Sequence, residues 1–284
     1  MNNYEDDIYE WLKSLDSNLT ILRNDNTLIG TPLTFYMPEK KIAITFNKTD
    51  EHIEGKVDAF FHQNQSKECK EKGVHLVHIF EYEWKVKSDK LKDYIQDLLG
   101  IGTKKYYART CQVWEIQGGE SLRFLDRNHL QGADRAAVKL GLYYKGHLVS
   151  VMTFAKPRFN KKFEWELSRF ASVKQTRVLG GASKLFEYFI KHYNPKSIIT
   201  YSDFAKMSGN LYLTLGFKYR ELANPNYVWI RGDEVLTRYK CQKKVLERKG
   251  YSGTEKSIMQ GRGFTKLYDS GNMVFEWVGD NEIG

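Results

Sequence analysis

The hydrophobic positions change period several times along the chain, and those changes mark its elements. In YEDDIYEWLKSL, Tyr4, Ile8, Trp11, Leu12 and Leu15 share one helical face, with acids in the first turn where the helix dipole favours them. The stretches PLTFYMPE and KKIAITFN alternate or run apolar with β-branched residues, which predicts a β-hairpin with Pro38 at its turn or on an edge. Residues 56–72 predict a helix closed by Gly73, and VHLVHIFEYEW predicts a strand buried on both faces. Ser88 is placed to cap a further helix, DKLKDYIQDLLG, whose Leu91, Ile95, Leu98 and Leu99 form one stripe before Gly100. The small, polar and basic GIGTKKYYAR that follows is expected to be a linker.

From about residue 105 the pattern restarts. CQVWEI predicts a strand, GESLRFLDRNH a helix, VKLGLYY and HLVSVMTFA two strands turned at Lys145 and Gly146, and WELSRFAS another strand. GGASKLFEYFIKHY predicts a helix with Leu185, Phe186, Phe189 and Ile190 on its apolar side. SIITYSD is a strand, GNLYLTLGF a short helix and NYVWI a strand; RYKCQKKVLERK reads as a helix, Thr254 can cap another, and TKLYDSGNMVFEW reads as a hairpin. The expected fold class is α/β (α+β) in two domains, residues 1–100 and 105–284, with a basic extension from 231 belonging to the second.

Composition narrows the class. A length of 284 residues suits two compact domains, and 41% hydrophobic residues with only 5 Pro leave no room for a proline-rich linker. The net charge of +9 is spread along the chain, which favours a polyanionic partner over the plain reading of an ordinarily basic soluble protein. Cys69, Cys111 and Cys241 are odd in number and far apart, so they form neither a disulfide framework nor a CxxC zinc knuckle. With an acidic amphipathic start and no long apolar run, the chain is expected to be soluble and cytoplasmic, without a membrane partner.

Three features of the second half come in order: strands ending in VSVMTF, RVLGGA opening a helix, and YLTLGF closing a later one. Together they resemble the GNAT acyltransferase superfamily. The resemblance maps a pyrophosphate loop onto Arg177, Gly180, Gly181 and Ala182, where small residues let backbone N–H groups approach a phosphate. It implies acyl-CoA as cofactor, with Glu166 or Tyr212 offered as base or acid. Both also suit plain roles, Glu166 paired with Arg169 or a nearby Lys and Tyr212 as a core residue.

A longer set of phrases, including YMPEKKIAITFN, KECKEKGVHLVHIFEYEW, NHLQG, LVSVMTFAKPRFNKKFEWELSRFAS, GGASKLF and YDSGN, resembles phage-encoded homing-endonuclease-like proteins over nearly the whole chain. In these, a nuclease domain similar to very-short-patch-repair endonucleases, of PD-(D/E)xK type, precedes a GNAT-like domain. The resemblance implies Mg²⁺ held by acids on successive strands, yet Thr34, Thr45 and Tyr82 stand at or near those places. Glu10 and His52 match the remaining catalytic positions, and no metal ligand set is assigned. Glu39, Asp50, Glu51, Glu54, Glu81 and Glu83 could rebuild a site by migration; otherwise His52, His75 and His78 are hydrogen-bonding or packed histidines.

Two basic stretches remain. Lys156, Arg158, Lys161 and Lys162 interleave with aromatics, and Arg238, Lys240, Lys243, Lys244, Arg248 and Lys249 line the predicted helix; both suit phosphate contacts or a solvated lysine-rich face. The first expectation is therefore a double-stranded-DNA-binding protein of a phage-infected bacterial cell, with strand cleavage lost or weakened. The alternatives are an acyltransferase using acyl-CoA and a non-catalytic phage protein acting on a host nucleic-acid enzyme or defence complex.

Overall fold

The opening stripe folds as helix α1 (Tyr4–Leu15), which buries Ile8 and Leu12. The computed structural model describes residues 4–279; the outer ends of both expected domains, residues 1–3 and 280–284, lie outside the described residues. Strands β1 (Leu22–Asp25), β2 (Leu33–Met37) and β3 (Ile42–Asn47) follow, with Pro38 in a single 3-10 turn between β2 and β3. Then come α2 (Thr49–His52), α3 (Phe61–Glu71), β4 (His75–Phe80) and α4 (Glu81–Leu99).

The chain continues with β5 (Lys104–Tyr107), β6 (Cys111–Glu115), α5 (Gly118–Asn128), β7 (Val138–Tyr144), β8 (His147–Ala155) and β9 (Trp165–Ser172). After β10 (Thr176–Leu179) come α6 (Gly181–Tyr193), β11 (Ser197–Asp203), α7 (Asn210–Thr214) and β12 (Lys218–Leu222). The last stretch holds β13 (Tyr227–Arg231), β14 (Glu234–Thr237), α8 (Arg238–Cys241), α9 (Lys243–Glu247), α10 (Glu255–Gly261), β15 (Thr265–Tyr268) and β16 (Asn272–Val278).

Two compact units are built from interleaved chain segments. The first takes residues 1–88, 203–207 and 222–272; the second takes 89–202, 208–221 and 273–284. The extension from 231 thus groups with the N-terminal residues and not, as the sequence led us to expect, with the second domain. The first boundary falls at Ser88 rather than 100, because α4 is two helices joined at Lys87, whose φ of −146° and ψ of 31° break the helical path.

In the first unit, the sheet runs β1-β2-β3-β4, with β1, β2 and β3 antiparallel in turn and β4 parallel to β3. Strand β3 is buried at all six positions. A three-stranded sheet, β14-β13-β15, belongs to the same unit; Trp229, Cys241, Leu246, Ile258, Met259 and Phe264 form a core within the 222–272 segment. Thr254 caps α10 through a reciprocal pair of bonds with Ser257.

The second unit is a seven-stranded sheet in the order β12-β16-β11-β9-β8-β7-β6. The turn between β7 and β8 uses Lys145 and Gly146, both at positive φ (48° and 80°), as a two-residue hairpin of right-handed strands requires. Phe154 of β8 and Phe189 of α6 stack with centroids 3.5 Å apart at the centre of the core, and both are fully buried.

Four expectations are corrected. The linker GIGTKKYYAR contains β5, which pairs in parallel with β10. The strand expected through VHLVHIFEYEW stops at Phe80, and Tyr82 lies in the first turn of α4, where Glu81 and Glu83 favour a helix start. RYKCQKKVLERK is two short helices, broken at Gln242. Finally, TKLYDSGNMVFEW is no hairpin, since β15 and β16 belong to different sheets.

Candidate functional site

Several polar side chains of the first unit are gathered into an enclosed cluster. Thr34 accepts the Phe46 N–H at 2.9 Å, and Thr45 is hydrogen-bonded to His78 Nδ1 at 2.9 Å. His78 Nε2 meets Ser66 Oγ at 2.9 Å, and Ser66 in turn donates to Ser270 Oγ at 3.2 Å. His52 Nδ1 lies 2.9 Å from His62 Nε2, so one of the two rings donates and the other accepts. Burial drives His52 down to about 4 and His62 down to about 3, and holds His78 well below its ordinary value. These imidazoles are neutral at physiological pH.

A second buried group carries charge. Lys206 donates to the His78 carbonyl and to Glu83 Oε2 at 2.9 Å, and both residues are buried. Burial opposes the ionised form of Glu83, yet Lys206 and Lys87 hold it down at about 2. Burial likewise works against the Lys206 ammonium, but Glu83 and Asp203 raise it. Asp269 is pushed up to about 7 by burial and by Asp203, although the N–H groups of Gly271 and Asn226 bond to it.

The residues that the resemblance assigns to a nuclease centre are engaged separately. Glu10 is exposed on α1, while the ring of His52 is engaged by His62. Thr34 and Thr45 are taken up by Phe46 and His78, and Tyr82 is on a helix. Among the described residues no group of three or more His, Cys, Asp or Glu is placed to hold a metal ion. The acids proposed for migration do not repair this: Glu81 accepts the Thr49 N–H, Glu83 is held by Lys206 and Lys87, and Glu39 accepts from Thr20.

The second unit has an open cavity of about 860 Å³. In the same unit, parallel strands β9 and β11 pair at Trp165–Ile198 and Glu166–Ile199. Where β9 lies against β8, the register passes from Thr153–Arg169 to Phe154–Leu167, leaving Ser168 as an extra residue on β9. Phe170 and Ser172 of β9, Leu211 and Leu215 around α7, and the turn from Arg177 to Ser183 line the space.

Arg177, Gly180, Gly181 and Ala182 are all brought to that cavity. Gly180, at φ 75°, turns the chain from β10 into α6, and the first helical bond is Lys184 N–H to the Gly180 carbonyl at 3.0 Å. The N–H groups before Lys184 have no partner within the helix. A Cβ on Gly181 would meet Val178 Cβ at 3.0 Å and Leu142 at 3.2 Å, so the backbone here is packed closely against β10 and β7.

Sequence reasoning missed the other wall. Tyr94, Asp97 and Leu98 of α4 and Thr103 before β5 also line the cavity, and Asp97 Oδ1 and Thr103 Oγ1 are buried without a hydrogen-bond partner. Nothing in DKLKDYIQDLLG separates Asp97 from an ordinary solvent-facing acid; its role depends on the fold of β5 and β10.

The two acid–base candidates differ. Glu166 is 1% exposed and receives the backbone N–H, Nε and Nη2 of Arg158, so its partner is Arg158 and not Arg169. Tyr212 lies in α7, its hydroxyl bonded to Thr200, and burial raises its pKa. Of the first basic stretch, Arg158 is engaged by Glu166, Lys156 lies 4.5 Å above the Trp165 ring, Lys161 bonds the Pro157 carbonyl, and Lys162 is exposed. Arg238, Lys240, Lys243, Lys244, Arg248 and Lys249 are exposed, Lys243 pairing with Glu247. The two stretches belong to different units. No helix among the described residues is long and apolar enough to cross a membrane.

No family model matches the chain, and no curated protein matches it. Solved structures give partial likenesses. A Salmonella typhimurium protein solved with its cofactor acetyl-CoA is 12% identical, with 62% of this chain and 97% of that one covered and a TM-score of 0.37. The ribosomal-protein-S5-alanine acetyltransferase of Vibrio fischeri is 11% identical over 61% of this chain and 94% of its own, also at 0.37. A GNAT family acetyltransferase of Elizabethkingia anophelis with acetyl-CoA bound is 11% identical over 60% and 99%, at 0.33.

Proposed function

We propose that the second unit is a GNAT-like acyltransferase that binds acyl-CoA. The observation that carries this reading is the cavity itself: it is bounded by a glycine turn at the start of a 13-residue helix, with Arg177 beside it. Unpaired helix N–H groups, the helix dipole and a guanidinium together favour a phosphate. The apolar side chains of Phe170, Leu179, Leu211 and Leu215 suit the uncharged arm of such a cofactor.

When bound, acyl-CoA supplies an acyl group activated as a thioester. The chain's own residues would hold and orient it through Arg177, Gly180, Gly181 and Ala182. Tyr212, kept protonated by burial, suits the donor of a proton and not its acceptor. Glu166 does not suit a general base, because three donors of Arg158 already occupy its carboxylate.

Calorimetric titration of the full chain with CoA tests the reading. Saturable binding is expected, weakened by about tenfold or more in Arg177→Gln, since a charged contact to phosphate contributes roughly 1.5–3 kcal/mol. No binding by the unaltered chain would overturn it.

Double-stranded-DNA binding by a PD-(D/E)xK-like first unit is a second reading, favoured by one observation. The 222–272 segment holds ten Lys and Arg against five Asp and Glu, with Tyr239 74% exposed among them. Salt-sensitive retention of duplex DNA, reduced when Lys243 and Lys244 are replaced together by Gln, is the expected result, without Mg²⁺-dependent cuts. Equal retention by the double variant would remove these residues from the reading.

A further inference from the structure

The cavity of the second unit contains a charge that an anion-binding site would not be expected to hold. Asp97 and Arg177 both line it, on opposite sides of the chain's path: Asp97 comes from α4, before the seven-stranded sheet begins, and Arg177 from β10. One carboxylate oxygen of Asp97 is tied down, since the Gln175 N–H bonds to the group; the other, Oδ1, is buried without a partner, as is the nearby Thr103 hydroxyl. Two orphan oxygens on one wall of a largely apolar space are costly unless something else supplies hydrogen-bond donors there.

We propose that Asp97 is the residue that sets the charge selectivity of this cavity. As a carboxylate it repels the phosphates that Arg177 and the start of α6 attract; as the neutral acid it offers an O–H that can bond to a phosphate oxygen. The inference rests on the acyl-CoA reading of the same site. It makes the cavity a discriminator: a pantetheine thioester, which has no phosphate, is accepted irrespective of the state of Asp97, while a polyphosphate cofactor enters with uptake of one proton from solvent.

The surroundings of Asp97 place that proton in an accessible range. Burial raises its pKa to about 6, Asp93 on the same helix raises it as well, and Arg177 and Lys174 act in the opposite direction. Lys174 is itself paired with Asp93, and Gln175 spans Asp93 and Gln96, so the facing loop is fixed in place. A neighbouring phosphate would raise Asp97 further, which is the linkage that couples binding to protonation.

The experiment titrates the full chain with CoA and, separately, with S-acetylpantetheine at pH 5.5 and 7.5, for the unaltered protein and for Asp97→Asn. CoA's own phosphates titrate alike against both proteins, so the comparison between them isolates Asp97. The unaltered chain is expected to bind CoA on the order of tenfold more tightly at the lower pH than Asp97→Asn can account for by its own profile. The variant is expected to exceed it at pH 7.5 while leaving S-acetylpantetheine unchanged. Asp97→Ser, equally neutral, repeats the test should the Asn variant melt early.

Superimposable pH profiles for CoA in the unaltered chain and both variants would overturn the role of Asp97 and leave the acyl-CoA reading standing. No CoA binding by any of the three proteins at either pH would overturn both.

Discussion

Both units leave some buried polar atoms without partners, His62 Nδ1 and Gln65 Oε1 among those of the first, but the two clusters described above are arranged differently. In the first, Thr45, His78, Ser66 and Ser270 form a continuous chain of hydrogen bonds, and Glu83 and Lys206 neutralise each other beside it. In the second, Asp97 and Thr103 leave oxygens without partners on the wall of a cavity. A satisfied network has no unmet demand for a ligand, however suggestive its residue types. An unsatisfied pair has such a demand, and the cavity gives a ligand room to meet it.

The contrast can be broken most forcefully in the first unit. Lys206→Met leaves Glu83 buried with Lys87 as its remaining cation partner, and a loss of roughly 3–5 kcal/mol in unfolding free energy is expected from urea denaturation. A loss below about 1 kcal/mol would show that the pair is not the support its geometry indicates.

Acid should act next. His52 and His62 have folded-state pKa values of about 4 and about 3, below the ordinary 6.5, so the unfolded chain binds more protons as the pH falls. Their contribution is complete above about pH 6.5 and is lost as the pH falls from there toward 4 and below, costing roughly 3 kcal/mol per residue by pH 4. Replacing both residues by Gln should flatten the stability profile between pH 6.5 and 4, read from the same denaturation curves.

The smallest effects separate the two units most cleanly. Ser66→Ala interrupts a satisfied chain and should cost about 1–2 kcal/mol, because His78 Nε2 loses its partner. Thr103→Val removes a hydroxyl that has no partner and keeps the side chain's shape, so stability should be unchanged or rise by up to about 1 kcal/mol. Equal losses in the two variants would erase the distinction.

Much of the second unit could be read from local pattern. The strands at 138–144 and 147–155 are rich in apolar residues, Lys145-Gly146 turns between them, and Gly180 opens α6 where the glycine pair predicted. What escaped was set by distant partners. Nothing local marks KKYY as a strand, because its partner at Thr176–Leu179 lies far along the chain, and Asp97 acquires its setting only once that pairing forms.

The first unit failed differently. The apolar run of VHLVHIF continues into EYEW without a breaker, so the end of β4 at Phe80 was hidden, and Tyr82 was assigned to the wrong element. Hydroxyl side chains at Thr34 and Thr45 could be seen to replace acids, but their engagement by Phe46 and His78 required the parallel pairing of β3 with β4.

The interleaving of the units bears on how the chain can be made. Strand β16 sits inside the seven-stranded sheet, between β12 and β11, yet it follows every other strand of that sheet along the chain. Segment 222–272, which belongs with the N-terminal residues, precedes it. Both units therefore await residues made after position 221, and nascent chains halted before residue 272 expose unfilled sheet positions that chaperones would have to shield.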